Sequence, residues 1–220
     1  MNSMNFKVKI IVSIFSLFLM LSSLKAQNTQ SLLSEVSNKV KSYENIQIDF
    51  KYSLENTREN VKQDTKANIT LKGDNYVLNM LGVTRIFDGK TIYTIVPEDE
   101  EVTISDYSKE EDKSISVSEM LTFYEKGYNY KMDIQQNIRG RKIQFIKLNP
   151  IDSNTEIKNI LLGIDMQTKH IYKLIQVDSS GTSYTITVNS FKTNQPISQN
   201  LFIFDEEKYT NQGYYINKLE

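Results

Sequence analysis

From Ile46 onward the chain alternates apolar and polar residues with a period of two, and this pattern constrains its fold more than any other feature. The first run extends from Ile46 to Leu54, and similar runs follow at Ala67–Leu71 and Tyr76–Met80. Successive side chains of a strand point to opposite faces, so each run predicts a strand with one buried and one solvated face. We count about eleven such strands, interrupted once by a helix, which predicts a mainly β protein with an antiparallel sheet.

The clearest turn of the predicted sheet lies at Asp88-Gly89. A type I′ turn needs positive φ at both central positions, and Asp followed by Gly adopts them at little steric cost. Val83–Phe87 and Thr91–Val96 flank the turn and are rich in β-branched and aromatic residues, and a proline turn then leads into Glu101–Ser105. These three runs predict a meander with one apolar face.

The first 26 residues have the features of an export signal. Lys7 and Lys9 precede a nearly unbroken apolar run, Ile10–Leu21, and Ala26 ends a small-residue cleavage site. The run is shorter than the about 20 residues that a membrane-spanning helix needs. We predict a signal peptide at 1–26, cleaved after Ala26, and a single mature domain at 27–220. An uncleaved membrane anchor is the alternative.

The predicted mature chain is mildly acidic and has no cysteine. Removing residues 1–26 removes three lysines and no acid, which changes the formal net charge from -1 to -4. Nucleic-acid binding depends on clustered Lys and Arg, so we expect no nucleic-acid partner. With 0 Cys in the chain, neither a disulfide nor the lipid-bearing cysteine of a bacterial lipoprotein is possible. We therefore expect an exported protein without a lipid anchor. We also expect a monomer.

Two helices are predicted beside the strands. Leu33 and Val36 belong to an apolar stripe at helical spacing ahead of the sheet. A capping box formed by Ser116 and Glu119 opens a second apolar helix over 116–124. Two helices cannot cover both faces of so large a sheet, so we predict an incomplete, unclosed β-barrel of the α+β type with a helical plug or lid. Such a barrel has room for an apolar ligand, although a fully packed sandwich would have the same residue pattern.

Catalytic motifs are not evident in the sequence. The only histidine, His170, follows a predicted turn and is expected to be solvated, and no HExxH spacing occurs. The acidic stretches Glu98–Glu101 and Glu110–Asp112 lack the alternation and the glycine of an EF-hand loop. We therefore expect no enzymatic activity, no metal site and no cofactor.

The ordered set of motifs resembles the periplasmic lipoprotein carriers of the LolA type. It comprises VSNKVKSYENIQIDFKYS, KANITLKGDNYVLNM, the DGK meander, SVSEMLTFYEKG and the C-terminal run from LGIDMQTKH to NLFIF. Such carriers are unclosed β-barrels with a helical lid, which take acylated lipoproteins from an inner-membrane ABC transporter and deliver them to the outer membrane. The resemblance implies this fold, cargo and transporter partner. It leaves open whether an outer-membrane receptor takes part. A periplasmic lipid-binding sensor or regulator on the same barrel is the alternative function.

An acyl-binding cavity follows from this hypothesis. Each buried methylene contributes about 0.8 kcal/mol, and aliphatic and Met side chains can repack around flexible chains. The inward-facing apolar residues of the strands and helices are the candidates for its lining: Leu33, Val36, Phe50, Tyr52, Ile69, Leu71, Tyr76, Leu78, Met80, Tyr93, Ile95, Met120, Leu121 and Tyr124.

Two positions depart from the family pattern. Members often have Arg-Pro in the turn between the second and third strands, where the arginine holds the lid shut. This chain has Lys72-Gly73-Asp74 there, so Lys72 is the candidate for a weaker latch, because an ammonium lacks the planar fork of a guanidinium. Tyr93 stands where the family usually has tryptophan after the DGK turn.

Overall fold

The computed structural model describes residues 28–107 and 121–219, which contain three helical segments and twelve strands. The helical segments are α1 over 28–41, the 3-10 helix Phe123–Glu125 and α2 (Glu206–Asn211). The strands are β1 (Ile46–Asn56), β2 (Val61–Lys72), β3 (Asn75–Met80), β4 (Val83–Phe87), β5 (Thr91–Val96), β6 (Glu101–Asp106), β7 (Tyr128–Ile138), β8 (Arg141–Pro150), β9 (Ile157–Asp165), β10 (Ile171–Asp178), β11 (Ser183–Thr193) and β12 (Tyr215–Lys218).

All described strands belong to one sheet. Their order is β12-β6-β5-β4-β3-β2-β1-β11-β10-β9-β8-β7. The pairs are antiparallel except for β12 with β6, which is parallel. Because β7 and β12 form the two edges, the sheet does not close on itself. The predicted fold class, a mainly β protein with an unclosed antiparallel sheet, is confirmed.

Both faces of the sheet carry buried apolar side chains. On β3, Tyr76 and Val77 are both buried but belong to different hydrophobic clusters. We call the face that carries Tyr76 the inner face and the face that carries Val77 the outer face. Adjacent residues of a strand point to opposite faces, so this assignment extends along each ladder.

Helix α1 packs on the inner face. Its apolar stripe begins with Leu32, Leu33 and Val36, which contact buried residues of β8, β9 and β10. Val40, one turn further on, contacts buried residues of β1, β2 and β3. Val36 is 0 % exposed, and full burial of such a side chain contributes about 1.5–3 kcal/mol. The helix therefore bridges the two halves of the sheet through apolar packing.

The C-terminal segment packs on the outer face of β3–β6 and differs from the prediction. Leu201–Phe204, predicted as a strand, is not one; Phe202 is instead buried as a side chain against Val77 and its neighbours. Asp205 then caps α2 by accepting a hydrogen bond from the Lys208 amide at 3.0 Å. Neither α2 nor β12 was predicted, because both are short and are anchored by outer-face contacts rather than by a long alternating pattern.

The predicted helix over 116–124 lies mostly outside the described residues, with Ser116, Glu119 and Met120 among those not described. Its last part is a single 3-10 turn, Phe123–Glu125. Lys126 is extended and Gly127 has a φ of 83°. The glycine therefore provides the positive φ that commonly ends a helical segment.

The β3–β4 turn generates a stability prediction. Leu81 and Gly82 both have positive φ, 55° and 80°, and a leucine in the left-handed region is strained by about 1 kcal/mol. Leu81 is 50 % exposed, so replacing it removes little buried surface. We expect Leu81→Asn to raise the free energy of unfolding by about 0.5–1 kcal/mol, because asparagine tolerates this conformation. Urea denaturation would measure the change. Leu81→Ala is the control, and an equal gain from alanine would contradict this account.

Candidate functional site

The inner face consists of a covered half and a partly open half. Along β1, Ile46, Ile48 and Phe50 are buried near α1, whereas Tyr52, further along the same face, is partly exposed. Leu78 and Met80 on β3 and Ile186 on β11 are also partly exposed and pack against the same cluster. The inner face therefore presents to solvent an apolar surface that continues directly into the core.

The structure brings most of the predicted cavity residues to the inner face. One cluster contains or contacts Phe50, Tyr52, Ile69, Leu71, Tyr76, Leu78 and Met80. The adjoining cluster contains Leu33, Val36 and Tyr124. Leu121 packs against both clusters, so it lies where the two halves meet. Their contact with a ligand stays a prediction, and Met120 lies outside the described residues.

Tyr93 and Ile95 are not brought to this surface. Both belong to the outer-face cluster around Phe202. The predicted type I′ turn is wrong, because Gly89 has a positive φ of 98° and Asp88 does not, although the hairpin itself forms. Phe87 pairs with Ile92, so Ile92 continues the inner face and its neighbour Tyr93 points away. Tyr93 and Ile95 were predicted to face the same way as Tyr76. Alternation alone does not show whether these two residues or the alternate residues of β5, such as Ile92, point inward.

Strands β10 and β11 also contribute to the inner face, which was not predicted. Ile186 and Val188 of β11 pack against the same cluster as Phe50, and Leu174 of β10 packs against the adjoining cluster. Tyr52 and Ile186 are cross-strand partners in the β1–β11 ladder. The alternating apolar residues of β11 were a usable signal, but the pairing of strands so distant in sequence was not predictable.

Polar contacts hold α1 to its surroundings. The Ser37 hydroxyl donates a hydrogen bond to the Glu125 carboxylate, and Lys41 Nζ lies 2.9 and 3.1 Å from the two Glu125 oxygens. The bond from Ser37, followed by that from Lys41, lowers the pKa of Glu125. On the other side Lys169 Nζ lies 3.2 Å from a Glu35 oxygen. Such accessible pairs contribute about 0–1 kcal/mol each, so they orient the helix more than they stabilise it.

Lys72, the predicted latch, forms a different contact. Its ammonium lies 3.5 Å from a carboxylate oxygen of Glu44, and both side chains are largely exposed. Glu44 follows α1, so this ion pair links the β2–β3 turn to the end of the covering helix. A role for Lys72 in holding a lid stays a prediction.

His170 lies in an aromatic cluster at the C-terminal end of α1. Its ring stacks on Phe191 with centroids 4.0 Å apart, and its Nε2 lies 2.8 Å from the Tyr43 hydroxyl oxygen. The prediction of a solvated turn residue is therefore wrong, because the side chain turns inward onto β11. Burial, together with the positive charge of Lys39, lowers the pKa of His170, while Asp165 opposes this shift.

This cluster should make stability depend on pH. The folded-state pKa of His170 lies below the usual 6.5, so the unfolded chain binds the proton more readily. Folding stability should fall as the pH drops below about 6.5 and level off below the folded-state pKa, with a slope of at most about 1.4 kcal/mol per pH unit. Denaturation of wild type and His170→Gln between pH 7.5 and 5.5 would measure this. The chain has 1 His, so an unchanged slope in the variant would contradict the assignment.

Tyr124 generates a second stability prediction. The side chain is 0 % exposed, and its hydroxyl has no hydrogen-bond partner among the described residues. Burial and the nearby Glu125 carboxylate raise the pKa of this hydroxyl. An unpaired buried hydroxyl is destabilising by about 1–3 kcal/mol, so Tyr124→Phe should raise the free energy of unfolding. Thermal unfolding of the variant would measure the gain, and a loss of stability would show that the hydroxyl has a partner.

The outer face carries a separate groove of ≈ 410 Å³. Its lining includes Gln47, Asp49, Thr70 and Lys192 from the sheet and Leu201 from the C-terminal segment. This lining is largely polar and shares only Ile69 with the predicted cavity residues. An acyl chain is better matched by the apolar inner face, which we therefore take as the candidate site.

Neither a metal cluster nor a membrane-spanning helix occurs in the described ranges. Within 28–107 and 121–219, no three acidic or histidine side chains come together in a way that could hold a metal ion. The helices within those ranges are too short or too polar to cross a bilayer.

Solved structures share the fold at low sequence identity. A conserved protein from Thermus thermophilus aligns with a TM-score of 0.58 and 9% identity, covering 87% of this chain and 99% of its own. LprF from Mycobacterium bovis aligns with a TM-score of 0.51 and 13% identity, covering 79% of this chain and 96% of its own. A weaker similarity, to a LolA superfamily protein from Nitrosomonas europaea, has a TM-score of 0.43 and 13% identity and covers 82% of this chain and 98% of the other.

Sequence comparison identifies the family. No curated protein sequence matches the chain. The family model described as outer membrane lipoprotein carrier protein LolA matches residues 82–205, a region that runs from the β3–β4 turn to the start of the C-terminal helix and includes more than half of the chain. The chain therefore belongs to the LolA family.

Proposed function

We propose that this protein is a periplasmic carrier that shields the acyl chains of lipoproteins and moves them from the inner to the outer membrane. Membership of the LolA family supports the class of cargo. In this proposal the protein binds and releases its cargo and catalyses no reaction.

The partly open apolar inner face is the observation that carries the proposal. Tyr52, Leu78, Met80 and Ile186 are side chains of one continuous surface, and each is only partly buried. Exposed apolar surface of this kind usually marks a binding site. An acyl chain laid on it would extend the hydrophobic core outward, without requiring any buried polar group to lose its partner.

The energetics fit reversible carriage. At about 0.8 kcal/mol for each buried methylene, a contact with eight methylenes contributes about 6 kcal/mol before the entropy of ordering the chain is subtracted. Aliphatic contacts are non-directional, so a chain can slide or repack as it leaves. Met80 adds a flexible side chain that adapts to different acyl chains.

The proposed partners follow from the family. An inner-membrane ABC transporter would supply the acylated lipoprotein, and an outer-membrane receptor could accept it. Export through the predicted signal peptide at 1–26 would place the carrier between them. The regulatory alternative requires the same lipid-binding face, so lipid binding alone does not separate the two functions.

The binding prediction uses a matched pair of variants. Ile186 contacts the inner-face cluster, whereas its neighbour Thr187 points to the other face of β11. Ile186→Glu places a carboxylate on the apolar surface, where covering it with an acyl chain would be strongly unfavourable. We expect this variant to bind an environment-sensitive apolar probe at least about ten-fold more weakly, and Thr187→Glu to bind it as wild type does. Fluorescence titration would measure both affinities.

Two controls complete this experiment. Thermal unfolding must show that both variants are folded, and an acylated lipoprotein must displace the probe from wild type. Equal losses in the two variants, or no saturable binding by wild type, would overturn the inner face as the site. Wild-type protein that binds lipoprotein but does not transfer it from inner-membrane to outer-membrane vesicles would favour the regulatory alternative.

A further inference from the structure

Two pairs of like charges lie on the outer face of the sheet. Lys51 and Lys66 are direct cross-strand partners on β1 and β2, and Lys131 and Lys147 are direct partners on β7 and β8. On each strand a residue next to the lysine belongs to or packs against an inner-face cluster, so alternation directs the lysine outward. Like charges directly opposite one another destabilise a sheet. Folding alone therefore does not account for these pairs.

Lys173 links the two pairs through two adjacent rows of cross-strand partners. The first row consists of Lys66, Lys51, Thr187, Lys173, Gly163 and Phe145. The second row consists of Asp64, Ser53, Thr185, Ile175, Leu161, Lys147 and Lys131. We call the five lysines of these rows, Lys51, Lys66, Lys131, Lys147 and Lys173, the basic patch. At about 4.8 Å per strand, the basic patch extends about 29 Å along the sheet from β2 to β7.

The positive charge of the basic patch is largely uncompensated. Asp64 is the one acidic residue in the two rows, and its carboxylate lies 2.9 Å from Lys51 Nζ. The other four lysines form no ion pair with any residue of 28–107 or 121–219, and Asp133, two residues beyond Lys131, forms none with it. The predicted mature chain has a formal charge of -4. The patch therefore concentrates positive charge on one surface of an acidic protein.

The basic patch is accessible beside the elements that pack on the sheet. Helix α1 packs on the inner face, and the C-terminal cluster lies on the outer face of β3–β6. Lys66 and Lys131 are exposed, and Lys147 and Lys173 are partly exposed. Between them Leu161 and Ile175 are also partly exposed, and the clusters formed by the described residues do not include them.

The chemistry of the basic patch favours an anionic lipid surface over a protein partner. Protein interfaces are enriched in arginine and aromatic residues and depleted in lysine. The two rows contain lysine but no arginine, and their one aromatic residue, Phe145, is buried. A lysine ammonium is a hydrated point charge on a flexible stem, which suits mobile lipid heads. Each lysine near an anionic membrane strengthens binding by about five-fold.

We propose that the basic patch docks the protein on an anionic lipid bilayer. In this arrangement the outer face of β7–β11, β1 and β2 lies against the lipid heads, and the inner face points away from the membrane. Docking therefore leaves the apolar inner surface free. The inference goes beyond the proposed carrier function and does not depend on which ligand the inner face binds.

Vesicle sedimentation tests the docking. Wild type should bind vesicles of mixed phosphatidylglycerol and phosphatidylcholine at least about ten-fold more tightly than vesicles of phosphatidylcholine alone. Raising the salt from about 0.1 M to about 1 M should abolish this preference, because the Debye length falls from about 10 Å to about 3 Å. The double variants Lys131→Gln/Lys147→Gln and Lys66→Gln/Lys173→Gln should each bind the anionic vesicles at least about ten-fold more weakly than wild type.

The matched control is Lys90→Gln/Lys142→Gln. It also removes two positive charges from exposed lysines, but Lys90 lies in the β4–β5 turn and Lys142 lies on the inner side of β8, two residues before Gln144, the partner of Ile164. This control should bind anionic vesicles as wild type does. The patch variants relieve like-charge repulsion, so thermal unfolding should show no loss of stability. They should also bind the apolar probe as wild type does.

The outcomes separate docking from ligand binding at the inner face. A wild type without preference for anionic vesicles, a salt-insensitive preference, a patch variant that binds like wild type, or a control that loses as much affinity would overturn the docking surface and leave the carrier function standing. Loss of the apolar probe by the patch variants would also overturn it, because the inner face would then be disturbed. If wild type ignores anionic vesicles but is retained on immobilised polyglutamate, and the patch variants are not, the patch binds an acidic protein instead.

Discussion

The packing of α1 on the inner face is the interaction on which the rest of the structure depends. The helix spans residues 28–41 and, at 1.5 Å per residue, is about 21 Å long. Twelve strands at about 4.8 Å spacing extend about 53 Å from edge to edge along the sheet. One such helix cannot cover the whole inner face. This mismatch leaves part of the inner face beyond the reach of α1, and apolar side chains there, such as Leu78 and Met80, are partly exposed.

The helix is positioned by two kinds of contact with different roles. Leu32, Leu33, Val36 and Val40 supply the burial that attaches it to both halves of the sheet. The bonds to Glu125 and Lys169 are accessible to solvent and individually weak. They fix the orientation of a helix whose attachment is already provided by apolar packing. His170, which stacks on Phe191 and contacts Tyr43 edge to face just after α1, combines both roles in one side chain.

The outer face of β3–β6 is covered by the C-terminal segment of the protein itself. Phe202 inserts among Val77, Ile86 and their neighbours, and Tyr93, Phe204 and Tyr209 form a series of stacked rings with centroids 4.5 and 5.3 Å apart. The following strand, β12, pairs with β6 and so protects that edge of the sheet. Tyr93 and Ile95 both belong to this outer-face cluster, so they are absent from the inner face.

Most of the strands, the hairpin around Asp88-Gly89 and the apolar stripe of α1 were determined by the sequence itself, because alternation, turn chemistry and helical spacing are local properties of the chain. It also indicated most residues of the inner face, from Phe50 to Met80. Only the tertiary structure decided which of two apolar series on β5 points inward and that Ile186 lies beside Tyr52. The first of these facts depends on the register between neighbouring strands. The second depends on the pairing of β1 with β11, which joins residues more than one hundred positions apart. Local sequence patterns do not specify such pairings, because an alternating strand can turn either of its faces toward the core until its neighbours are in place.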